Sequence, residues 1–366
     1  ATIESVKKSS AALKKYYSQE KKVDVQILNS YGEWNFYKNN HDGVKIFDTQ
    51  KFNLFSLLPK TGFIKSRITF FIVLILNFFP LIKLINNKKP NYLIIHLLTF
   101  LPIILSPILS KNTKIILRIS GLPKLTFIRK FMWKFFSNYI YLVTVPTNLT
   151  GQYLLKNNVF SKDKIKLLRD PVISCNTINI LKKQNEEKKY LKENYFLSIG
   201  RLTSQKNFCF LINVFCKNIK KFSIKKLLII GDGEDYNNIS KLIKYYNAEK
   251  FIHLLGFKSN IYNYLNNAHA LISTANYEDP GFALIEAAFL RKKIISSLVP
   301  NGPIEMKNHD KEMCFFFEPN NEEDLVKQII KSEENLNCKS MKISAMKYAR
   351  QFSLFTHFKN LNRLIR

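Results

Sequence analysis

Two doubly wound α/β domains are what this sequence predicts, and three observations predict them. Short β-rich runs recur along the chain, each followed by a helical pattern; the runs are continuously apolar; and a polar, charged stretch, Asn176–Asn194, divides them into two series. Strands apolar on both faces belong to parallel sheets covered by helices. With 366 residues, 46% of them hydrophobic, the chain is long enough and apolar enough for two such cores. The implied organisation is a first domain over 1–175, a linker over 176–194, a second domain over 195–345, and a C-terminal helix over 346–366 that packs back on the first domain. Ligands of open α/β sheets bind at the carboxyl ends of the strands, so the two domains are expected to face one another across a cleft.

Taken in order, the chain opens on a helix, Thr2 to about Tyr17, rich in Ala, Ser and Lys. The first series of strands follows in VDVQILNS, YLIIHLLTF, TKIILRIS and IYLVTVPT, and the second in YFLSIGRL, KLLIIGDG, FIHLLGF, HALISTA, KKIISSLV and MCFFFEP. Two very apolar runs stand out in the first half, Ile68–Ile85 and Tyr92–Leu109. Proline interrupts both, and Asn77 and Lys83 interrupt the first, which disfavours a spanning helix.

The formal charge is +30, and it is unevenly spread: between Asp48 and Asp163 there is no Asp or Glu, while lysines and arginines recur throughout. Such a surface attracts polyanions, either nucleic acid or an anionic membrane. Apolar runs beside unopposed lysines fit an interfacial surface. The bland counterpart is a lysine-rich solvated coat. Nucleic-acid binding would require aromatics interleaved with the lysines on one exposed surface, whereas here the aromatics fall mostly in the apolar runs. Five scattered cysteines without a C-x-x-C pair read as reduced core thiols of a cytoplasmic protein, and the six histidines form no metal-ligand cluster.

Four motifs carry chemistry. In NYEDPGFALIEAAF, Pro280 and Gly281 disfavour helix before them, and the residues after Gly281 are strong helix formers. A helix therefore begins near Gly281, with Glu278 in the loop before it and Glu286 one turn inside. A helix N-terminus offers free N–H groups to an anion, and two carboxylates beside it suit a hydroxyl-rich ligand. In SIGRLTSQKN, Gly200 permits a tight turn, and Arg201 and Lys206 are cations able to converge on a diphosphate. In IIGDGED, Gly231 and Gly233 read mainly as a turn. NGPIE places Asn301 and a proline at a helix start after a strand. His96, ending an apolar strand, reads as a core or cleft histidine.

Together, Gly200-Arg201 with Lys206, then Glu278 and Glu286 around Pro280-Gly281-Phe282, closely resemble the family 4 retaining glycosyltransferases of the GT-B fold, of the cell-envelope or lipopolysaccharide type. The resemblance covers nearly the whole chain and is strongest from Tyr195 to about Glu305. It implies a GT-B architecture of two Rossmann-like domains and a metal-independent hexosyltransferase that moves a sugar from a nucleotide-diphosphate-sugar to a glycan or lipid-linked acceptor. By resemblance, Arg201 and Lys206 bind the diphosphate, Glu278 approaches the donor sugar, and Glu286 holds the ribose. Gly200 shapes the donor loop, amides of Gly281, Phe282, Ala283 and Leu284 contact sugar and phosphate, and Phe257 and Lys258 line the base. The cation pair replaces a divalent ion, so neither cofactor nor metal is implied. His96, Ser120 and Gly121 are the acceptor-side candidates. Many relatives have a histidine where this chain reads RISGLPK. Relatives also open on a strand and a Gly-rich loop, whereas this chain opens on a helix at Ala1, so the first domain is expected to lack its first strand and to show a gap beside Val23–Leu28.

The implied partners are a nucleotide sugar, the acceptor and an anionic membrane surface, without nucleic acid. The implied location is cytoplasmic, peripheral on the inner face of the membrane. A sugar-nucleotide epimerase of the same fold and a basic nucleic-acid-binding protein are the alternatives.

Overall fold

The computed structural model describes residues 2–17, 23–32, 34, 44–50, 54–58, 63–96, 100–109, 111–184, 193–334 and 339–365. The chain divides into two compact units: one takes Ala1–Pro146, Thr150–Asp170 and His357–Arg366, the other Thr147–Leu149 and Pro171–Thr356.

In the first unit, strands β1 (Gln26–Asn29) and β2 (Lys45–Asp48) pair parallel with each other. A separate parallel sheet follows, β3 (Tyr92–Ile95), β4 (Lys114–Arg118), β5 (Leu142–Val145) and β6 (Ile165–Leu167), in sequential order. Among the described residues, β1 pairs with β2 alone and β3 with β4 alone, and no strand joins the two sheets. The short strands β2 and β6 have no counterpart in the sequence reading, because KIFD and IKL are too short and too polar to announce themselves. The first apolar run is a helix, Phe63–Lys88, with Pro80 inside. The second is β3 followed by two short helices, Phe100–Ile104 and Ser106–Leu109. One face of the sheet, with Ile115, Leu117, Val143 and Val145, is covered by side chains from the helices Phe63–Lys88, Phe100–Ile104, Phe127–Phe135 and Asn148–Lys156.

The second unit holds a six-stranded parallel sheet. It comprises β7 (Phe196–Ile199), β8 (Leu227–Ile230), β9 (Ile252–Leu254), β10 (Ala270–Ser273), β11 (Lys293–Ser297) and β12 (Phe315–Phe317), ordered β12-β11-β10-β7-β8-β9. The strand order reverses at β7, whose neighbours are β8 and β10, so the crevice between β7 and β10 is the topological switch point at which open α/β sheets bind ligands. All four residues of β8 are buried, as its unbroken apolar run predicts, and all five of β11 are buried too, Lys293, Ser296 and Ser297 included. Two cores flank the sheet, one containing Leu197, Leu228, Leu271 and Ile294, the other Phe196, Leu227, Ile272 and Ile295, the alternation expected of strands covered on both sides.

Two boundaries differ from the sequence reading. The stretch read as a linker begins with a helix, Cys175–Leu181, in the second unit; residues 185–192 lie outside those described. The terminal segment is two helices, Lys339–Arg350 and Leu354–Ile365, and only from His357 onward does it belong to the first unit. Residues 346–350 thus stay with the second unit, where Ala345, Tyr348 and Ala349 share a core with Ile285 and Ala288. Cys175 is exposed rather than a core thiol, Cys314 is buried as expected, and Cys338 lies outside the described residues.

Candidate active site

The carboxyl edge of the second sheet is built by backbone hydrogen bonds between successive loops. Gly200 N–H donates to the Ile230 carbonyl at 3.0 Å, Leu202 N–H to Asp232 at 2.9 Å, and Gly231 N–H to Gly256 at 3.0 Å. This zipping explains the glycines of IIGDGED. A Cβ on Gly231, whose φ is +152°, would lie 1.8 Å from the Gly200 carbonyl oxygen, and one on Gly233 would lie 2.3 Å from the Leu202 carbonyl oxygen. The G-x-G is a device for close backbone approach.

Across the switch point, the loop after β7 is stitched to the loop after β10. Thr274 Oγ1 donates to the Asn207 carbonyl at 3.1 Å, Asn276 N–H to Gln205 O at 2.8 Å, and Gln205 Nε2 to Tyr277 O at 2.9 Å. The stitching sets Lys206 against Glu278: the Lys206 ammonium lies 2.5 Å from Glu278 Oε1, with side-chain exposures of 18% and 8%. Ser273 Oγ is 3.5 Å from the same oxygen. The sequence reading gave Lys206 to a diphosphate and Glu278 to a sugar; the fold joins them 72 residues apart. An ammonium has three donors, and the carboxylate takes one direction, leaving Lys206 able to receive a second anion. Arg201, on the same loop, is exposed.

The helix Phe282–Phe289 begins beside this pair. Gly281 precedes it with φ +87°, a conformation glycine adopts without penalty. Helix geometry leaves the amides of Phe282, Ala283 and Leu284 without intrahelical acceptors at a partly positive end. The loop before the helix is held from β11: Gly302 N–H donates to Glu278 O at 3.1 Å, and Asn301 Nδ2 donates to Tyr277 Oη at 3.1 Å and to Asp279 Oδ2 at 2.9 Å. A Cβ on Gly302 would lie 2.0 Å from the Pro280 carbonyl oxygen, so NGPIE contributes contact as well as a helix start.

Glu286 is buried one turn inside the helix, and the Tyr262 hydroxyl donates to its Oε1 at 2.8 Å. Tyr262 was absent from the sequence reading. It lies five residues beyond Phe257 and opens the short helix Tyr262–Asn267 that follows the loop after β9, and no periodicity or motif distinguishes it there. Phe257 is 76% exposed and Lys258 half-buried at the end of that loop. Gly200, Arg201, Lys206, Glu278, Gly281 to Leu284 and Glu286 therefore come from the loops and helix flanking the switch point.

The acceptor-side candidates belong to the first unit. His96 follows β3, and Ser120 and Gly121 follow β4, all at the carboxyl edge of that sheet. Arg118, ending β4, makes a buried ion pair with Asp170 at 2.7 Å, and Ser5 Oγ donates to the same carboxylate oxygen at 2.7 Å. Burial first, then the Arg118 guanidinium, pushes His96 down to about 3, so its ring is neutral. His357 is held at about 4, chiefly by burial, although its Nδ1 lies 2.7 Å from the Arg169 carbonyl. Among the described residues no group of three or more His, Cys, Asp or Glu side chains could hold a metal ion.

Comparison with known proteins converges on one class. Residues 179–351 match the family model described as glycosyl transferases group 1. The chain is 28% identical over 246 residues to an uncharacterized glycosyltransferase of Methanocaldococcus jannaschii, a match spanning 62% of this chain and 60% of that protein. Among solved structures, a glycosyltransferase from Rickettsia africae superposes with a TM-score of 0.71 at 18% identity, covering 99% of this chain and 92% of that one. Anabaena HepE, solved in complex with UDP, gives 0.70 at 15% identity, covering 98% and 94%. The fold is GT-B, as the motifs implied.

Proposed function

We propose that this chain is a group 1 glycosyltransferase that moves a hexosyl group, with retention and without a metal, from a nucleotide-diphosphate-sugar to a glycan or lipid-linked acceptor of the cell envelope. The observation that carries the reading is the Lys206–Glu278 pair at the switch point, beside the free amides that open the helix Phe282–Phe289. The match of 179–351 to the family model and the UDP complex of HepE support it.

The chemistry follows from charge. Cleaving the bond between the sugar's anomeric carbon and the diphosphate leaves negative charge on phosphate oxygen. Preplaced cations and helix N–H groups stabilise that charge as it develops. Lys206 and Arg201 supply the cations, and the amides of Gly281 to Leu284 the dipoles. Glu278, held by Lys206, orients the donor sugar, and Glu286, held by Tyr262, accepts from the ribose hydroxyls, with Phe257 and Lys258 against the base. A carboxylate nucleophile is the glycosidase route to retention. Here, front-face attack is the reading adopted: the acceptor oxygen bonds to the anomeric carbon on the face from which the diphosphate leaves, and the acceptor's proton passes to the departing phosphate oxygen. His96, Ser120 and Gly121 are assigned to the acceptor. The proposed location is cytoplasmic, peripheral on the inner face of the membrane.

The test is a panel of nucleotide sugars with lipid-linked acceptors, followed by NMR of the product anomer, with and without EDTA. Glycoside formation with retained configuration and undiminished rate in EDTA is expected. An epimerised nucleotide sugar without acceptor transfer would establish the epimerase alternative instead, and dependence on added divalent ion would remove the cation pair from its role.

A further inference from the structure

The helix Phe63–Lys88 has two apolar faces and uses only one of them. Thr69, Val73, Asn77, Leu81 and Ile85, at every fourth position, are buried against the first unit. Asn77 Nδ2 donates to the Val73 carbonyl at 2.8 Å and its carboxamide oxygen accepts from Thr49, while Gln50 Nε2 donates to Leu76 O at 2.6 Å. The opposite row, Phe71, Ile75 and Phe79, is between 60% and 76% exposed. By length and composition Arg67–Lys88 could cross a membrane, but a helix tied along its side to a sheet lies flat on its own domain.

A second helix repeats the pattern. Thr126 caps Phe127–Phe135 by accepting from the Arg129 N–H. Met132 and Trp133 face the core, and Phe127, Phe131 and Phe135, four residues apart, are exposed by 85%, 64% and 63%. The rings of Phe131 and Phe135 stack on each other with centroids 6.1 Å apart. Leu81 and Ile85 of the first helix and Met132 and Trp133 of the second enter the same core, against the same face of the β3–β6 sheet, so both helices lie on that face and each carries an exposed phenylalanine row. Arg67, Lys83, Arg129, Lys130 and Lys134 are exposed on these helices, and no acidic residue occurs between Asp48 and Asp163.

We infer that these two helices form a docking surface for an anionic lipid bilayer, with the two phenylalanine rows entering the acyl region and the lysines and arginines meeting the headgroups. Exposed apolar rows of this extent mark an interaction site, and amphipathic helices rich in Phe and basic residues bind in the plane of the interface. Charge selects the occupant. A second copy would bring a surface whose ionised groups are cationic, which repels; a nucleic acid supplies anions but no apolar layer deep enough for both rows. An anionic bilayer supplies both. The inference stands apart from the catalytic proposal, since it uses none of the site residues and is read by binding alone.

The test is flotation of the full chain with phosphatidylglycerol-containing vesicles and with pure phosphatidylcholine vesicles, at low and high salt. Binding to the anionic vesicles, weakened at high salt, is expected. The double variants Phe71→Asp with Phe79→Asp and Phe127→Asp with Phe131→Asp are each expected to lower the bound fraction at least about tenfold, with circular dichroism melts unchanged because the replaced rings are exposed. Lys130→Gln with Lys134→Gln should weaken binding and flatten the salt dependence. Equal binding to neutral vesicles, no loss in the phenylalanine variants, or a lipid-free dimer that those variants dissolve would each overturn the inference.

Discussion

Lys206→Ala separates what the central ion pair does for stability from what it does for turnover. In the resting protein the ammonium is 2.5 Å from Glu278 Oε1, and Glu278 as a whole is only 6% exposed. Removing the lysine leaves a buried carboxylate without its ammonium. Breaking a buried pair from one side is destabilising by about 3–5 kcal/mol, and the 18% exposure of the lysine side chain puts this pair at the low end, about 3 kcal/mol. For a unit of this size that lowers the melting temperature by roughly 6–12 °C. Turnover should fall further, by about 10²–10³-fold, because one preorganised contact to the leaving diphosphate is gone. The double variant Lys206→Ala with Glu278→Gln removes both charges, so stability should return towards wild type while activity stays low. The assays are calorimetric melting of each variant and steady-state release of the nucleoside diphosphate at saturating donor. Turnover in Lys206→Ala within about threefold of wild type would show that the departing diphosphate needs no contact from Lys206, and activity restored in the double variant would remove both charges from the reaction.

Tyr262→Phe deletes one hydrogen bond to Glu286 and should raise KM for the nucleotide sugar about 2–10-fold with kcat nearly unchanged, because a ribose contact is made equally in ground and transition states; a kcat loss without a KM change would contradict the ribose role. Gly231→Ala should unfold the carboxyl-edge loops, a loss of several kcal/mol, since its Cβ would meet the Gly200 carbonyl oxygen at 1.8 Å, whereas Gly256→Ala, with φ +68° and nothing within 4 Å, should cost only about 1–2 kcal/mol; equal urea midpoints would refute the zipped-loop account. His357, 4% exposed and held at about 4 against an ordinary value of 6.5, remains neutral in the fold. Its folded-state value is depressed, so the stability it contributes is full above pH 6.5 and is lost as pH falls towards 4, at up to about 1.4 kcal/mol per pH unit. Urea titrations between pH 7 and 5 should show that slope reduced in His357→Gln, and an unchanged slope would place the acid sensitivity elsewhere.

The sequence by itself determined the architecture of the second unit and the residue types of its site. Short apolar runs such as LLII, recurring between helical patterns, mark strands buried on both faces, and Pro280-Gly281 before an alanine-rich apolar run fixes a helix start within one residue. These signals are local, and local signals survive in one dimension. The strands KIFD and IKL were not legible, because three or four residues of mixed polarity carry no period. The partnerships were not legible either. Lys206 meets Glu278 because β10, three strands later in the chain, lies beside β7, and Tyr262 reaches Glu286 because the helix Tyr262–Asn267, after β9, starts near the helix after β10. Strand order depends on which apolar runs pair and on the handedness of their crossovers, quantities that no window of sequence contains. The same holds for Phe63–Lys88: composition makes both of its faces apolar, and only packing against the β3–β6 sheet decided that Leu81 and Ile85 turn inward while Phe71, Ile75 and Phe79 remain outside.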